Sequence, residues 1–267
     1  MLISIVISVL NGERTLSACL DSVVNQDYQS IEILLIDGGS TDSTLNILNI
    51  YKNSIDYIIS EPDTGVYNAW NKAIRIAKGE WVCFLGCDDT FSSTDSLSEL
   101  ARHALYPKVN YVSGRSQPVN SSGRLSQAEG KPFNATELGG GMKFSHPGSL
   151  HHSSLFRENG LFNEQFKIAG DYEFFIRCSR SIRPAFAPLT IVLMGDGGMS
   201  NTQQLRVFLE SYRALRNSIY FGFIVGAKLL LISIIKSIAR EIIYVKIPFV
   251  FISISTIFKR IQRRLWF

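Results

Sequence analysis

What this chain of 267 residues has little of narrows its class first. It carries 4 cysteines, and Cys19, Cys83, Cys87 and Cys178 include no C-x-x-C pair. Three of them fall inside apolar patterns, so buried free thiols of a reducing compartment are expected rather than a disulfide framework. Histidine is as sparse, with 4 in all, and the spacing of His146, His151 and His152 with Cys178 suits no usual zinc site. No G-x-G-x-x-G follows the first apolar run, which disfavours a dinucleotide-binding domain. A basic n-region is missing from MLISIVISVL, whose alternation is that of a strand, so no signal peptide is expected. No internal repeat is visible. With 46% apolar residues the chain has what a large core needs, and disorder is not expected.

The small net charge of +4 conceals an asymmetry. From Leu205 to Phe267 stand 11 Lys/Arg and 2 Asp/Glu, a net +9, whereas residues 1–204 carry 16 against 21. That balance divides the chain into an acidic body, 1–204, and a basic, hydrophobic helical tail, 205–267. A helix is expected from about Gln204. Ser218–Ile235 then holds one charge, Lys228, a borderline length for a membrane span. On a helical wheel Gly222, Gly226, Ser233, Lys236, Ser237 and Arg240 share one side, which favours a helix lying in the interface over one crossing it. The alternative is a core helix that recruits a partner subunit. Pro248 interrupts, Phe249–Phe258 is apolar again, and Lys259, Arg260, Arg263, Arg264 and Trp266 close the chain. Basic residues set among isoleucines and phenylalanines point to an anionic membrane surface and away from nucleic acid.

The first ninety residues alternate between strand and helix patterns. Leu2–Leu10 reads as a strand, and Glu13–Asn25 as a helix with Leu16, Leu20, Val23 and Val24 on one face. Ile31–Ile36 is a buried strand ending at Asp37, and Thr41 or Asp42 can cap a helix to about Tyr51. Asp56–Ser60, Val66–Ala77 and Glu80–Gly86 continue as strand, helix and strand. Such repetition implies right-handed crossovers and an α/β fold with a mostly parallel central sheet flanked by helices. Beyond Asp89 the pattern loosens: a helix over Ser96–Leu105, one or two strands in Val109–Val119, and a polar loop from Asn120 to Lys131. Gly139-Gly140-Gly141, a helix starting near Asp171 and a late strand, Ala187–Met194, follow.

Carboxylates recur at the ends of the strands. Asp88 and Asp89 follow Trp81-Val82-Cys83-Phe84-Leu85, an apolar run too short for a helix. Open α/β sheets bind ligands at the C-terminal ends of their strands. Adjacent carboxylates repel each other, and a divalent cation relieves that, so a metal- and phosphate-binding pair is favoured over a plain turn. Asp37 before Gly38-Gly39 suits either a nucleobase or ribose contact or a helix-capping turn. Asp63 with Gly65 is a third acid in the same topological position. Lys72, on the next helix, reads locally as a solvated face, with a phosphate contact as the alternative. His146 stands in a loop before Pro147, while His151 and His152 alternate so that at most one faces a site. Asp171 is either an N-cap or a general base, and spacing alone leaves both open.

Several motifs together resemble the family 2 glycosyltransferases of GT-A fold, over roughly residues 2–200. They are SIVISVLNGERTL, SIEILLIDGGSTDST, SEPDTGVYNAWNKAIRIAKGEWVCFLGCDD, and the run from His146 to Arg177 that contains GLFNEQFKIAGDYEFFIR. The third motif is the most specific and looks like the bacterial envelope-polysaccharide branch, of colanic acid or O-antigen type. The resemblance implies that Leu10, Asn11 and Glu13 border the nucleotide, that Asp37 reads base or ribose, and that Asp63 and Lys72 line the donor pocket. Asp88 and Asp89 would stand for the family's DXD element, with Asp89 the main ligand of Mg²⁺ or Mn²⁺. His146 would touch the diphosphate or acceptor, with Pro147 where the family often has glutamine. Asp171 would be the catalytic base of an inverting transfer. The expected donor is a nucleotide-sugar, UDP favoured over GDP or dTDP. The expected acceptor is a polyprenyl-diphosphate-linked glycan, met by an enzyme held peripherally on the cytoplasmic, inner-membrane leaflet through its tail. Two other readings stand beside it: a non-catalytic, membrane-bound assembly partner of the same fold, and a nucleotidyl or phosphosugar transferase. The lack of a glycine-rich phosphate loop with a following lysine near the N-terminus weakens the latter.

Overall fold

A computed structural model describes residues 1–120, 122–198 and 203–218, with 231 and 233–235. The expectations for the remainder of 219–267, including the interfacial helix, Pro248 and the terminal basic cluster, lie outside the described residues.

One eight-stranded sheet organises the chain. Its strands are β1 (Ile3–Val9), β2 (Ile31–Asp37), β3 (Tyr57–Ser60), β4 (Trp81–Gly86), β5 (Thr90–Phe91), β6 (Tyr111–Val119), β7 (Leu150–His152) and β8 (Pro184–Gly195), in the order β3-β2-β1-β4-β7-β6-β8-β5. The first four pair in parallel, as their helical crossovers require. β7 turns antiparallel between β4 and β6, and β6 then pairs in parallel with β8. Tyr111–Val119 is thus a single strand, bent by register shifts around Arg115.

Both faces of the sheet are covered, which is why its central strands read as nearly continuous apolar runs. On one face Ile3, Ile5, Ile7 and Val9 of β1 pack with Leu16, Leu20 and Val23 of α1 (Leu16–Val24) and with Leu97 and Leu100 of α4 (Ser96–Ala104). α2 (Thr44–Tyr51) covers the same side through Leu48. The opposite face holds Val6, Leu34, Val82 and Phe84 against α3 (Val66–Ile76), α5 (Ser154–Asn159) and α6 (Gly170–Cys178). Serines interrupt β1 on this second face, and each is bonded. Ser8 accepts from the Trp70 indole at 3.2 Å, and Ser4 donates to the buried Glu32 carboxylate. Glu32 also accepts from the backbone N–H groups of Lys78 and Gly79, where the chain leaves α3 for β4. All four cysteines are free thiols.

Two helix starts differ from expectation for local reasons. α1 begins at Leu16 rather than Glu13 because Gly12 O closes a turn onto the N–H groups of Thr15 and Leu16. α2 begins at Thr44, since Asp42 turns back on the Thr44 N–H at 3.0 Å and on its hydroxyl. After β8 the helix α7 (Gln204–Arg216) packs on α6, and Ala214 and Leu215 join the core cluster on that face. Among the described residues no helix is long and apolar enough to cross a membrane.

Candidate active site

Strand order lines up the first group of candidate residues. Because β3, β2, β1 and β4 are parallel neighbours, Asp63, Asp37, Asn11 and Asp88 follow one another along the edge where these strands end. Asp37 is fully buried, and its carboxylate accepts from the Ser40 N–H at 3.1 Å, the Ser40 hydroxyl at 2.5 Å and the Ser60 hydroxyl at 2.6 Å. The ends of β2 and β3 are thereby tied together around one charge. Asn11, in the left-handed region at φ 53°, donates its N–H to Ser40 Oγ and accepts from the Thr41 N–H. Glu13 accepts from the Ser43 N–H at 3.0 Å. Asp63 accepts from the Gly65 N–H at 2.8 Å, and a Cβ at Gly38 would lie 2.7 Å from its Oδ2, so a side chain at Gly38 would have to displace this carboxylate. Leu10 is exposed beside this edge. Lys72 is turned to Glu61 in a 2.7 Å ion pair.

A second group surrounds a cavity of about 720 Å³, lined among others by Asp88, Asp89, His146 and Asp171. The four come from three separate stretches of the chain. Asp89 closes a tight turn after β4: its N–H donates to Gly86 O, and its carboxylate accepts from the N–H groups of Gly86 at 3.1 Å and Gly195 at 3.2 Å. Only 5% exposed, it is pushed up to about 7 by burial and then by the Asp88 charge, against the pull of those two amides. Asp88 is half-buried. Its Oδ1 and Asp89 Oδ2 both lie 2.9 Å from where a Cβ on Gly86 would sit, so this glycine makes room for the pair.

These residues fit a divalent cation. Two crowded carboxylates, one held ionisable against burial, form a donor set that a Mg²⁺ or Mn²⁺ would stabilise. Among the described residues no third His, Cys, Asp or Glu joins them. The other coordination positions would therefore fall to water and substrate phosphate, as is common for Mg²⁺.

Asp171 lies in the first turn of α6, whose N-cap position is Ala169, so it is not the N-cap itself. Its Oδ1 accepts from the Tyr172 N–H at 2.8 Å and sits 3.1 Å from the Tyr67 hydroxyl, which donates to Ile168 O at 2.6 Å. Burial pushes the carboxyl up to about 6; the Tyr172 amide and Tyr67 hydroxyl oppose this, and the Glu210 charge adds to it. A carboxylate poised there is matched to accepting a proton near neutral pH. His146 is buried, stacked on Phe84 at 5.7 Å and 5.2 Å from Trp70, and its Nε2 has no protein partner. Burial lowers its pKa to about 3, so it faces the cavity as a neutral imidazole. Of the histidine pair, His151 is buried against the His146 ring at 5.1 Å, while His152 bonds Ser154 outside the cavity.

Other residues of the site are not apparent from sequence. Asn71 exchanges two hydrogen bonds with the Phe162 backbone, at 2.9 and 3.0 Å, and with Asn68 holds Glu164. Those contacts fasten the segment before α6 to α3. Their i, i+3 spacing in VYNAWNKA puts both asparagines on one helix face, a signal that could have suggested a shared partner. Tyr67 and Glu210 are the others, and both bear on Asp171.

Comparisons with known proteins agree with this architecture. Residues 4–182 match the family model described as Glycosyl transferase family 2. A PGL/p-HBAD biosynthesis glycosyltransferase of Mycobacterium tuberculosis is 31% identical over 214 residues, covering 78% of this chain and 82% of the relative. A poly(ribitol-phosphate) beta-glucosyltransferase of Bacillus spizizenii is 44% identical over 99 residues, which are 35% of this chain and 16% of that one. Among solved structures, S. aureus TarS in complex with UDP-GlcNAc superposes with a TM-score of 0.68 at 17% identity, over 93% of this chain and 77% of that one. A mannosyltransferase of Pyrobaculum calidifontis in complex with GDP-Man and Mn²⁺ gives 0.62 at 15%, over 89% and 75%. The sheet that carries its carboxylates to one edge, and the family match over residues 4–182, make this chain a member of glycosyl transferase family 2 with the GT-A fold.

Proposed function

We propose that this glycosyltransferase transfers a sugar, with inversion, from a nucleotide-sugar to a hydroxyl of a lipid-linked glycan. The observation that carries the proposal is the single cavity shared by Asp88, Asp89, His146 and Asp171. Its lining includes both a metal-type carboxylate pair and the Asp171 carboxyl, raised to about 6. In this reading Leu10, Asn11, Glu13, Asp37 and Asp63 border the nucleotide along the sheet edge. Lys72 reaches the donor by leaving Glu61. Asp88 and Asp89 would hold Mg²⁺ or Mn²⁺, with Asp89, pinned by two amides, as the main ligand. A divalent cation held there would supply positive charge against that of a departing diphosphate. His146, being neutral, serves the diphosphate or acceptor as a hydrogen-bonding partner. Asp171 takes the proton of the acceptor hydroxyl, whose oxygen forms the new bond to the anomeric carbon as the bond to diphosphate breaks.

The relatives named for PGL/p-HBAD biosynthesis and for poly(ribitol-phosphate) support a place in bacterial cell-envelope glycan synthesis. The neighbours bound to UDP-GlcNAc and to GDP-Man support a nucleotide-sugar, with UDP our choice of base. A polyprenyl-diphosphate carrier as acceptor agrees with the basic hydrophobic tail, net +9, which would hold the enzyme on an anionic inner leaflet at about 1 kcal/mol per basic residue near the surface. The test is a thermal-shift titration of the full chain with UDP, GDP and dTDP, each with and without Mn²⁺. Ligand at 100 times its dissociation constant adds about 2.7 kcal/mol. A metal-dependent shift with one nucleotide, lost in Asp89→Ala, supports the donor site. No shift with any of them, from folded protein, turns the reading toward a non-catalytic assembly partner.

A further inference from the structure

α6 starts without a side-chain cap of its own, since its N-cap residue is Ala169. The turn that leads into it is instead held from another helix. Glu210 of α7 accepts hydrogen bonds from three consecutive backbone N–H groups: Lys167 at 2.9 Å, Ile168 at 2.8 Å and Ala169 at 3.0 Å. Glu210 is 9% exposed, and its carboxylate is steadied by Arg206 at 3.1 Å. Burial would raise its pKa, but the three amides and Arg206 outweigh that and hold it below the ordinary range. Three charge-assisted bonds on one turn are a strong fixation. Arg213, one turn further on the same face of α7, bonds Gln165 at 2.6 Å and lies over the Phe166 ring. The same turn is also held by the Tyr67 hydroxyl, which donates to Ile168 O, and at the surface by Lys167 Nζ, which donates to Thr64 O. Asp171 is two residues beyond Ala169.

We infer that Glu210 is a positioning residue for the catalytic base: by clamping Lys167–Ala169 it sets where α6 begins and therefore where the Asp171 carboxylate stands. This deepens the proposed function and rests on Asp171 being the base. It also assigns the start of the basic tail a part in catalysis. α7 both clamps the turn and walls the cavity with Val207, Phe208 and Tyr212, so the helix that leads to the tail bears directly on the reacting groups. The charged and titratable groups facing Asp171 are Tyr67 from α3, Tyr111 from β6 and Glu210 from α7. Glu210 faces Arg206 on its own helix and the three amides.

The experiment compares full-length wild type, Glu210→Gln, Glu210→Asp and Asp171→Asn. Two readouts are used: release of UDP from UDP-GlcNAc or of GDP from GDP-Man with water as acceptor, and the Asp171 titration followed by carboxyl ¹³C NMR. Glu210→Gln keeps one acceptor oxygen and removes the charge. It should lower kcat roughly 100-fold, as a displaced catalytic group does, leave donor KM unchanged, and move the Asp171 titration to lower pH. Glu210→Asp keeps the charge but shortens the reach, so kcat should fall while the titration stays in place. If Glu210→Gln is poorly folded, Glu210→Asp alone decides by its kcat. Wild-type kcat in folded Glu210→Asp, or a Glu210→Gln with unmoved kcat and titration, overturns the inference. Turnover by Asp171→Asn at the wild-type rate instead overturns the underlying assignment of the base.

Discussion

Asp171 should be held at a cost to the fold, and that cost has a sign and a size. A carboxyl whose folded pKa is raised binds more protons folded than unfolded, so stability falls as pH rises through the interval between the two values. With an ordinary Asp near 3.9 and the folded carboxyl at about 6, the loss is complete above pH 6 and amounts to about 3 kcal/mol. Asp171→Asn removes the charge, and the amide oxygen still accepts from the Tyr172 N–H and faces Tyr67. At pH 8 the variant should therefore be more stable than wild type by about 3 kcal/mol, or roughly 6–12 °C in Tm for a chain of this size. Near pH 4, where the folded carboxyl is protonated, the gain should shrink below about 1 kcal/mol. Scanning calorimetry of both proteins at the two pH values reads this directly. A variant that is destabilised at pH 8, or whose gain is the same at both pH values, refutes the burial argument. The same variant should be unable to transfer sugar, so stability and activity would trade at one atom pair.

Three further outcomes follow from other contacts. Tyr67→Phe removes a hydroxyl that holds Ile168 and helps keep the Asp171 pKa down; it should cost about 1 kcal/mol and move the acid limb of the pH–rate profile to higher pH, opposite to Glu210→Gln. An acid limb that stays put would remove Tyr67 from the account. Gly86→Ala places a methyl 2.9 Å from both Asp88 Oδ1 and Asp89 Oδ2, so Mn²⁺-dependent nucleotide affinity should drop about tenfold or more in the thermal-shift titration, with about 1–3 kcal/mol lost from stability. His146→Gln removes a buried base whose pKa of about 3 lies far below the ordinary 6.5; wild type should lose about 3 kcal/mol relative to the variant between pH 6.5 and 4, and parallel stability curves would contradict this.

Much of the body was legible because its signals are local. The apolar runs of β1, β2 and β4 had to be buried strands, and each ends at or within a few residues of a polar group proposed above for the site: Asn11, Asp37, and the Asp88–Asp89 pair. Helix spacing likewise marked the core face of α1 through Leu16, Leu20 and Val23. Contacts that depend on the tertiary path were not legible. Tyr67 meets Asp171 across 104 positions, and nothing in VYNAW marks the tyrosine as more than a core aromatic. Lys72 offered a cation near the donor edge, but the 2.7 Å pair with Glu61 takes it up, a contact decided by the short β3–α3 loop. Glu210 was hidden by the charge balance itself. As one of 2 acids against 11 basic residues it reads as noise in a basic tail, although Arg206, Glu210 and Arg213 lie on one face at helical spacing. That stripe is the one sequence signal that could have tied α7 to the body.

The central claim, sugar transfer with Asp171 as base beside a donor held by Asp88 and Asp89, is tested most directly by single-turnover nucleotide release from donor-saturated Asp171→Asn. The account predicts donor binding within a few-fold of wild type and release slowed by at least 100-fold, within the range that general-base catalysis contributes. Release at the wild-type rate from a folded, donor-bound variant would contradict it.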